Sequence, residues 1–295
     1  MVWDPIITKE IASLPDRSED VHKGDVGRIV IVGGCCDDAI LMVGAPALSA
    51  NAALRSGAGL VQMLVPKPLR LQIATMAPCA TTRSLPTEAA ALLAAVEEFR
   101  ADVVVIGPGL GDSLSPPVLV EFLNKFQGRI VVDADALNLL ARVPDAVLEN
   151  PKRLILTPHP GEMRRLLTAR GIDPPSGNKA PQRHQAAADL VEAFECTIVL
   201  KGQGTVVTNG ERLYVNETGN AGMATGGAGD VLAGMIAALI GQHMQPLEAA
   251  ILGVYLHGLA GDFAAEELGR WAVTATDLVQ YLPEAFCEHE VSQGE

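Results

Sequence analysis

Short runs of consecutive apolar residues recur along the first two thirds of the chain, and most are rich in Val, Ile and Leu. A run that is apolar at every position predicts a strand covered on both faces, because a strand with one face in water alternates apolar and polar residues. Six such strands are predicted, over residues 28–32, 60–65, 102–106, 129–133, 154–157 and 197–201.

Amphipathic segments with helical periodicity separate these runs. They predict helices over residues 45–56, 88–99, 117–126, 135–141, 161–167 and 181–194. Strands and helices that alternate in this way form a mostly parallel sheet with helices on both faces, which is the doubly wound α/β arrangement.

The pattern changes after residue 201, where TVVTNGERLYVN consists of two alternating runs joined by Asn209 and Gly210. Asn-Gly is the preferred dipeptide of a two-residue type I′ turn, so we expect an antiparallel hairpin at one edge of the sheet. Three further helices are predicted over residues 228–240, 247–268 and 274–286. The chain shows no internal repeat, and its only loop-like stretch is 168–181, so we expect a single domain over residues 1–295.

The composition is that of a globular protein, with 48% hydrophobic and 19% charged residues among 295. The net charge of −13 argues against a nucleic-acid partner, because such binders neutralise phosphates with Lys and Arg. The five cysteines lack the spacing of a zinc site or a disulfide scaffold, which favours a reducing cytoplasm. No secretory signal is present at the start, and the apolar segment 231–240 is too short to span a bilayer, so we expect no membrane association.

The densest glycine cluster, GNAGMATGGAGDVLAG over residues 219–234, leads into an apolar helix. Its centre predicts backbone N–H groups that converge at the helix N-terminus and attract a phosphate. Asp230 in this setting fits a base that accepts a proton from an attacking hydroxyl. Taken alone, helix capping is the commoner role of an Asp at such a position, and the cluster leaves both interpretations open.

Four further segments follow predicted strands. They are IGPGLGDS (106–113), VVDADALN (131–138), TPHPGEMRRLL (157–167) and LKGQGT (200–205). Each can be an ordinary turn or helix start, but ligands bind at the carboxyl ends of the strands in a doubly wound sheet, so one crevice is expected to collect them. Since the chain contains no Gly-Lys dipeptide, it has no Walker A phosphate loop.

Six motifs, taken in order, closely resemble the ADP/ATP-dependent NAD(P)H-hydrate dehydratase family, a branch of the ribokinase-like superfamily, from about residue 24 to residue 283. They are GAPALSANAALRSGAGLV, IGPGLG, DADALN, TPHPGE, LKGQGT and GNAGMATGGAGDVLAG. The resemblance implies a ribokinase-like fold and a metabolite-repair enzyme that uses ADP or ATP, with Mg²⁺. Its implied reaction is the dehydration of the S-epimer of NAD(P)H hydrate, through phosphorylation of the ring hydroxyl and elimination of phosphate.

The resemblance also implies a role for individual residues. Asp230 would be the catalytic base, and the anion hole would consist of Gly226, Gly227, Ala228 and Gly229. The nucleotide-binding residues would be Lys201, Gly202, Gln203, Gly204, Thr205 and Gly229. The substrate-binding residues would be Ala45, Gly109, Gly111, His159 and Asp230. Glu162 lies where the superfamily keeps an acidic residue that orders a magnesium ion through water.

This chain departs from the family pattern at two places of interest. The segment after the first strand reads Cys35-Cys36-Asp37-Asp38 instead of a Gly-Ser-rich turn, which puts a phosphate contact there in doubt. Ala228 replaces the usual hydroxyl residue of the anion hole, but the backbone N–H remains, so we expect activity to survive. The resemblance implies a homo-oligomer, usually a tetramer, and we expect a separate epimerase to act on the same substrate because the chain has no room for that domain.

Two other functions remain open. A ribokinase-like small-molecule kinase would use the same base and anion hole on a different alcohol. A catalytically inactive nucleotide-binding protein is conceivable because of the altered turn after the first strand. His257, in the last apolar helices, is expected to be a core or interface histidine.

Overall fold

The computed structural model describes residues 5–37, 39–177 and 179–294. In chain order its strands are β1 (Ile6–Ile7), β2 (Arg28–Val32), β3 (Cys35–Cys36), β4 (Leu41–Met42), β5 (Leu60–Val65), β6 (Thr81–Ser84), β7 (Val103–Ile106), β8 (Arg129–Val132), β9 (Leu154–Leu156), β10 (Thr197–Leu200), β11 (Val206–Thr208) and β12 (Arg212–Val215). Its α-helices are α1 (Gly44–Arg55), α2 (Arg70–Met76), α3 (Ala89–Phe99), α4 (Pro116–Lys125), α5 (Ala134–Ala141), α6 (Pro160–Ala169), α7 (Ala180–Phe194), α8 (Ala228–Gly241), α9 (Pro246–Leu268) and α10 (Ala275–Gly294).

Ten of these strands form one sheet in the order β1-β12-β11-β10-β9-β8-β7-β2-β5-β6. Only β11 runs antiparallel to its neighbours within this sheet, and the other neighbouring pairs are parallel. The mostly parallel α/β sheet predicted from the apolar runs is therefore confirmed. The strands β3 and β4 pair with each other as a separate antiparallel ribbon.

Helices cover both faces of the sheet, which explains why the central strands are apolar at every position. Ile29 and Ile31 of β2 pack with α1, α2, α8, α9 and α10, whereas Val30 and Val32 pack with the layer formed by α3 to α7. All four side chains are fully buried. With both faces covered, the loops at the carboxyl ends of the parallel strands are left to form clefts.

The predicted hairpin exists, but its turn and its position differ from the prediction. Thr208 pairs with Leu213, so four residues, 209–212, lie between the last paired residues, whereas a two-residue turn was predicted. The Asn209 side chain accepts hydrogen bonds from the N–H groups of Glu211 (3.1 Å) and Arg212 (3.0 Å), which is an Asx turn instead of a type I′ turn. The edge of the sheet is β1, which pairs in parallel with β12.

Other elements escaped prediction because they lack a long apolar run. The strands β1, β3 and β4 have two residues each, and β6 reads TTRS. The unusual Cys35-Cys36 pair forms β3, with Cys35 buried and Cys36 exposed, and Asp38 lies outside the described residues. Within the described ranges, no helix combines the length and the apolar content that crossing a membrane requires.

Candidate active site

Three neighbouring strands, β8, β9 and β10, end at a buried ion pair. Asp133 follows β8 and is 1% exposed, and Lys201 follows β10. The Lys201 Nζ lies 2.5 Å from Asp133 Oδ1, which also accepts a hydrogen bond of 2.7 Å from Thr157 Oγ1. Burial acts to lower the pKa of Lys201, but the charges of Asp133 and Glu162 raise it above its usual value. The ammonium group therefore stays charged although it is buried.

The N-terminus of α8 lies against this ion pair. A Cβ built on Gly229 would be 3.1 Å from Lys201 Nζ, so glycine lets the helix approach the ammonium group. Gly227, with φ at +95°, is the N-cap of α8. The first N–H groups of a helix have no partner within the helix, and they carry its positive dipole end. Gly226 to Gly229, the predicted anion hole, thus lie next to a fixed positive charge.

Asp230 is in the first turn of α8, and Gly227 instead of Asp230 occupies the capping position. Its carboxylate accepts no side-chain hydrogen bond from the described residues. Burial raises the pKa of Asp230 to about 7, and the charge of Asp133 adds to this effect, whereas Lys201 opposes it. A carboxylate with a pKa near neutrality is suited to accept a proton from a reacting hydroxyl.

A cleft of about 820 Å³ opens between the loop after β10 and the start of α8. Its wall includes all five predicted nucleotide-binding residues from Lys201 to Thr205, together with Ala228, Gly229 and His159. The structure therefore brings the predicted nucleotide-binding residues together in one cavity. Backbone amides, a charged ammonium group and small residues in one wall are the features that suit a nucleotide phosphate.

A buried arginine with no distinguishing sequence signal holds the loop after β10. Arg183 of α7 donates hydrogen bonds from Nη2 to the carbonyl oxygens of Leu200 (2.8 Å), Lys201 (3.3 Å) and Gly204 (3.3 Å). Since carbonyl oxygens only accept, this cation gives partners to a backbone that turns away from the sheet. Nothing in its local sequence separates Arg183 from a solvated helix residue.

His159 and Glu162 form reciprocal capping hydrogen bonds at the start of α6. His159 is the N-cap, and its Nδ1 accepts the N–H groups of Gly161 (2.9 Å) and Glu162 (3.3 Å). Glu162 Oε2 accepts the N–H of His159 (2.8 Å), and its Oε1 lies 3.2 Å from His159 Nε2, so this is a capping box. Burial acts to raise the pKa of Glu162, but the hydrogen bond with His159 and the charge of Lys201 lower it below its usual value.

The other predicted substrate residues do not line the 820 Å³ cleft. Gly109, with φ at +58°, lies against Ala45 and Met42, since a Cβ built on it would be 3.1 Å and 3.0 Å from their Cβ atoms. Gly111 donates its N–H to Asp135 Oδ2 (2.8 Å) and lines a different cleft, of about 850 Å³. The expectation of a single crevice is wrong, because the loops divide between two cavities.

His257 of α9 lies in the wall of the 820 Å³ cleft, although the sequence suggested a core or interface histidine. It is buried, and its Nε2 has no hydrogen-bond partner among the described residues. Burial lowers the pKa of His257 to about 4, against the opposing effect of a hydrogen bond with the Ala228 backbone. The ring is therefore neutral at pH 7 and adds a polar, uncharged group to the cleft.

The carboxylates near Lys201 fit a magnesium ion only if it is bound through water. Within the described residues, no cluster of three or more His, Cys, Asp or Glu side chains could form a metal cage. Asp133 and Glu162 already accept hydrogen bonds, and their remaining oxygen lone pairs could hold metal-bound water. This arrangement fits Mg²⁺, which keeps several waters and is bound largely through phosphate oxygens.

Comparison with known proteins identifies relatives over nearly the whole chain. A model of the NAD(P)H-hydrate dehydratase family matches residues 29–284. The bifunctional NAD(P)H-hydrate repair enzyme of Moorella thermoacetica is 42% identical over 283 residues, which cover 92% of this chain and 51% of that relative. The enzyme of the same description from Escherichia coli is 40% identical over 272 residues, covering 91% and 49%. The chain spans about half the length of the curated relatives it matches.

Solved structures match the fold closely. The ADP/ATP-dependent NAD(P)H-hydrate dehydratase of Bacillus subtilis, co-crystallised with ATP/Mg²⁺, has a TM-score of 0.78 and 30% identity over 94% of this chain and 95% of that one. A ribokinase-like superfamily protein of Enterococcus faecalis has a TM-score of 0.78 and 28% identity over 94% and 92%. A hydroxyethylthiazole kinase of Pyrococcus horikoshii, at 17% identity and a TM-score of 0.60, shares the fold alone.

Proposed function

The chain belongs to the NAD(P)H-hydrate dehydratase family, and on that premise we propose that it converts the S-epimer of NAD(P)H hydrate to NAD(P)H with ADP or ATP as phosphoryl donor. The observation that carries the proposal is the position of Asp230. A carboxylate with a pKa of about 7 lies in the first turn of a helix whose amides adjoin the Lys201 ammonium group. A base and a phosphate site are thus adjacent, as phosphoryl transfer to a hydroxyl requires.

In the first step Asp230 takes the proton of the ring hydroxyl while that oxygen attacks the terminal phosphorus of the nucleotide. The new bond joins the ring oxygen to phosphorus, and the bond between phosphorus and the leaving nucleotide oxygen breaks. In the second step the lone pair of the ring nitrogen expels phosphate. Loss of a proton from the neighbouring ring carbon then restores the double bond of NAD(P)H.

Charge on the transferring phosphoryl group is stabilised by groups that are already in place. The N–H groups at Gly226 to Gly229 face it at the positive end of α8, and Lys201 is held beside Gly229 by Asp133. Since these donors are fixed before the reaction, little reorganisation is needed as the charge develops. Glu162 would hold Mg²⁺ through water, and the ion would neutralise charge on the nucleotide phosphates.

The nucleotide occupies the 820 Å³ cleft in this proposal, with Lys201, Gly202, Gln203, Gly204, Thr205 and Gly229 as its binding residues. Arg183 supports the loop that carries five of them. The hydrate approaches Asp230 from the side of His159, Ala45, Gly109 and Gly111. We also propose that residues 1–295 form one catalytic domain, with its motifs over residues 24–283, that the protein forms homo-oligomers in the cytoplasm, and that a separate epimerase acts on the same substrate.

The test uses purified S-epimer of NADPH hydrate with ADP or ATP and Mg²⁺, and it follows the absorbance of the reduced nicotinamide. We expect nucleotide-dependent recovery of NADPH. The Asp230→Asn variant should lower turnover by about 10² to 10⁴-fold, because a positioned general base is worth that much, while nucleotide affinity stays nearly unchanged. Asp173→Asn, at an exposed position, is the matched control and should retain the rate of the unmodified protein.

Two results would contradict the proposal. Failure of the unmodified protein to regenerate NADPH, together with phosphorylation of another alcohol, would favour the small-molecule kinase. Nucleotide binding without turnover on any substrate would favour an inactive binding protein. Full turnover in Asp230→Asn would remove the assignment of this residue as the base.

A further inference from the structure

A second cleft, of about 850 Å³, lies beside the proposed reaction site and runs between α5 and α6. Gly111 and Asp135 stand at the end where the strands β7 and β8 finish. Three arginines contribute to its wall, Arg142 at the end of α5 and Arg164 and Arg165 in α6. We call this cavity the arginine cleft. Its positive charge contrasts with the net charge of −13 of the whole chain.

The acidic side chains of the arginine cleft are already engaged by other partners. Asp112 Oδ1 pairs with Arg142 Nη1 at 2.6 Å. Asp135 accepts hydrogen bonds from the N–H of Gly111 (2.8 Å) and from Asn138 Nδ2 (3.3 Å). These carboxylates therefore leave the charges of the two α6 arginines without an acidic partner within the cleft.

The two α6 arginines keep most of their donors for a ligand. Arg165 uses Nε to hold Asn138 Oδ1 at 2.9 Å, which orients the guanidinium group while its terminal nitrogens stay available. Arg164 is exposed and makes no hydrogen bond or ion pair with the described residues. A guanidinium group presents a planar fork of donors that matches the oxygens of a phosphate, so this wall suits a phosphorylated ligand.

Arg165 of the arginine cleft lies close to the start of α6, where His159 lines the other cleft. A Cβ built on Gly161 would be 3.8 Å from Arg165 Nη1 and 2.8 Å from His159 Cε1, so these two side chains flank one glycine. His159 itself lines the 820 Å³ cleft assigned to the nucleotide donor. Side chains that flank one glycine at the start of α6 thus contribute to both cavities. A reaction between two phosphorylated ligands needs two such cavities.

We propose that the arginine cleft binds the adenosine half of the dinucleotide substrate, with Arg164 and Arg165 as its phosphate-binding residues. The inference rests on the proposed function, and it assigns the part of the hydrate that lies away from the reacting ring. The anionic groups of that half are the diphosphate of either hydrate and the additional 2′-phosphate of NADPH hydrate. Arg142 is a weaker donor because Asp112 already neutralises it.

The test compares Arg164→Gln and Arg165→Gln with Arg129→Gln. Arg129 is the first residue of β8, so it lies at the amino end of the strand, whereas the arginine cleft lies beyond the carboxyl ends. The control variant therefore removes the same charge far from the arginine cleft. Steady-state rates are measured with NADPH hydrate and with NADH hydrate at saturating ADP and Mg²⁺. Direct titration of each hydrate without nucleotide gives its dissociation constant.

We expect each α6 variant to raise the KM and the dissociation constant for NADPH hydrate about tenfold, since each loses a charge-assisted hydrogen bond to phosphate. The value of kcat and the KM for ADP should stay within about twofold, and Arg129→Gln should match the unmodified protein. An equal effect on NADH hydrate would place the diphosphate at the arginines. An effect confined to NADPH hydrate would place the 2′-phosphate there.

Unchanged affinity for both hydrates in both α6 variants would overturn the inference, and so would a loss of ADP affinity equal to the loss of hydrate affinity. Either result leaves the proposed function intact provided the unmodified protein regenerates NAD(P)H. Failure of the unmodified protein to do so would instead remove the proposed function. The melting temperatures of Arg164→Gln and Arg165→Gln are compared with that of the unmodified protein, so that a loss of affinity can be distinguished from a loss of folding.

Discussion

Asp230 owes its properties to neighbours that are far away in the sequence. Its carboxylate is mostly removed from water and lies near the charge of Asp133, and both effects favour the protonated form. Lys201 limits the shift but is itself neutralised by Asp133 at 2.5 Å. The residue is thus held in an environment where its charged form is unfavourable, which makes it a stronger proton acceptor than an exposed Asp.

A consequence of that environment is a pH-dependent stability that Asp230→Asn should remove. The pKa of Asp230 is about 7 in the folded chain and near 3.8 in the unfolded chain, so the protonated form favours folding. This contribution is complete below pH 4, is lost as the pH rises through 7, and is absent at pH 8. The neutral Asn variant should therefore exceed the unmodified protein in free energy of unfolding at pH 8 by about 1 to 4 kcal/mol.

Chemical denaturation at pH 4 to 8 measures this difference. The gain of the variant should shrink towards zero as the pH approaches 4. A constant difference across the range would show that the carboxylate titrates as an exposed group. Asp173→Asn serves again as the control, because it removes a carboxylate from an exposed position.

At the scale of the elements, the close contact of α1 with α8 sets the position of the active-site helix. A Cβ built on Gly234 of α8 would be 2.1 Å from the carbonyl oxygen of Ser49 in α1. The Ser49 hydroxyl in turn donates a hydrogen bond of 2.6 Å to the carbonyl oxygen of Asp230. The two helices approach at a glycine, and this approach fixes the first turn of α8 relative to the sheet.

Gly234→Ala should therefore destabilise the fold although alanine favours helices. The added methyl group meets backbone, which cannot yield as a flexible side chain does, and overpacking of this kind costs about 1 to 3 kcal/mol. Denaturant titration measures the loss. Gly44→Ala in α1 is the matched control, because a Cβ there would meet only the Met76 Cε, at 4.0 Å, and its stability should be unchanged or slightly higher. Equal stability of both variants would contradict the close contact.

At the scale of the whole molecule, the sheet topology places two cavities near the carboxyl ends of neighbouring parallel strands. The segments after β7, β8 and β9 supply the arginine cleft, whereas the loop after β10, the start of α8 and the middle of α9 supply the proposed nucleotide cleft. His159 lines the proposed nucleotide cleft, and it flanks Gly161 together with Arg165 of the arginine cleft. Because neighbouring parallel strands end at the same edge, the proposed site for two ligands needs no second sheet.

Binding of nucleotide should stabilise the whole molecule independently of catalysis. At 100 times its dissociation constant, ADP with Mg²⁺ should raise the free energy of unfolding by about 2.7 kcal/mol. The gain should be nearly the same in Asp230→Asn and in Arg164→Gln, because neither residue lines the nucleotide cleft. Thermal unfolding with increasing ADP measures it. Absence of any shift at millimolar ADP would contradict the assignment of the cleft.

Periodicity along the chain was sufficient to predict the central strands, most helices and the mostly parallel sheet. These features depend on which positions are buried, and burial repeats at short, regular intervals. The motifs around Lys201 and Asp230 likewise identified the family from local residue order. Two-residue strands and the polar strand β6 carry no such signal, and neither does the Asx turn at Asn209, whose geometry depends on a side-chain hydrogen bond.

The amino-acid order by itself therefore determined the layered α/β architecture and the family, and through the resemblance it predicted the edge of the sheet for ligands and Asp230 as the base. Only the tertiary structure decided that Asp133 and Lys201 form a buried pair, that Glu162 is engaged in a capping box, and that the loops divide between two cavities. The physical reason is distance. Burial periodicity is a property of short segments, whereas ion pairing, a raised pKa and the shape of a cleft depend on groups from distant segments meeting in a medium that excludes water.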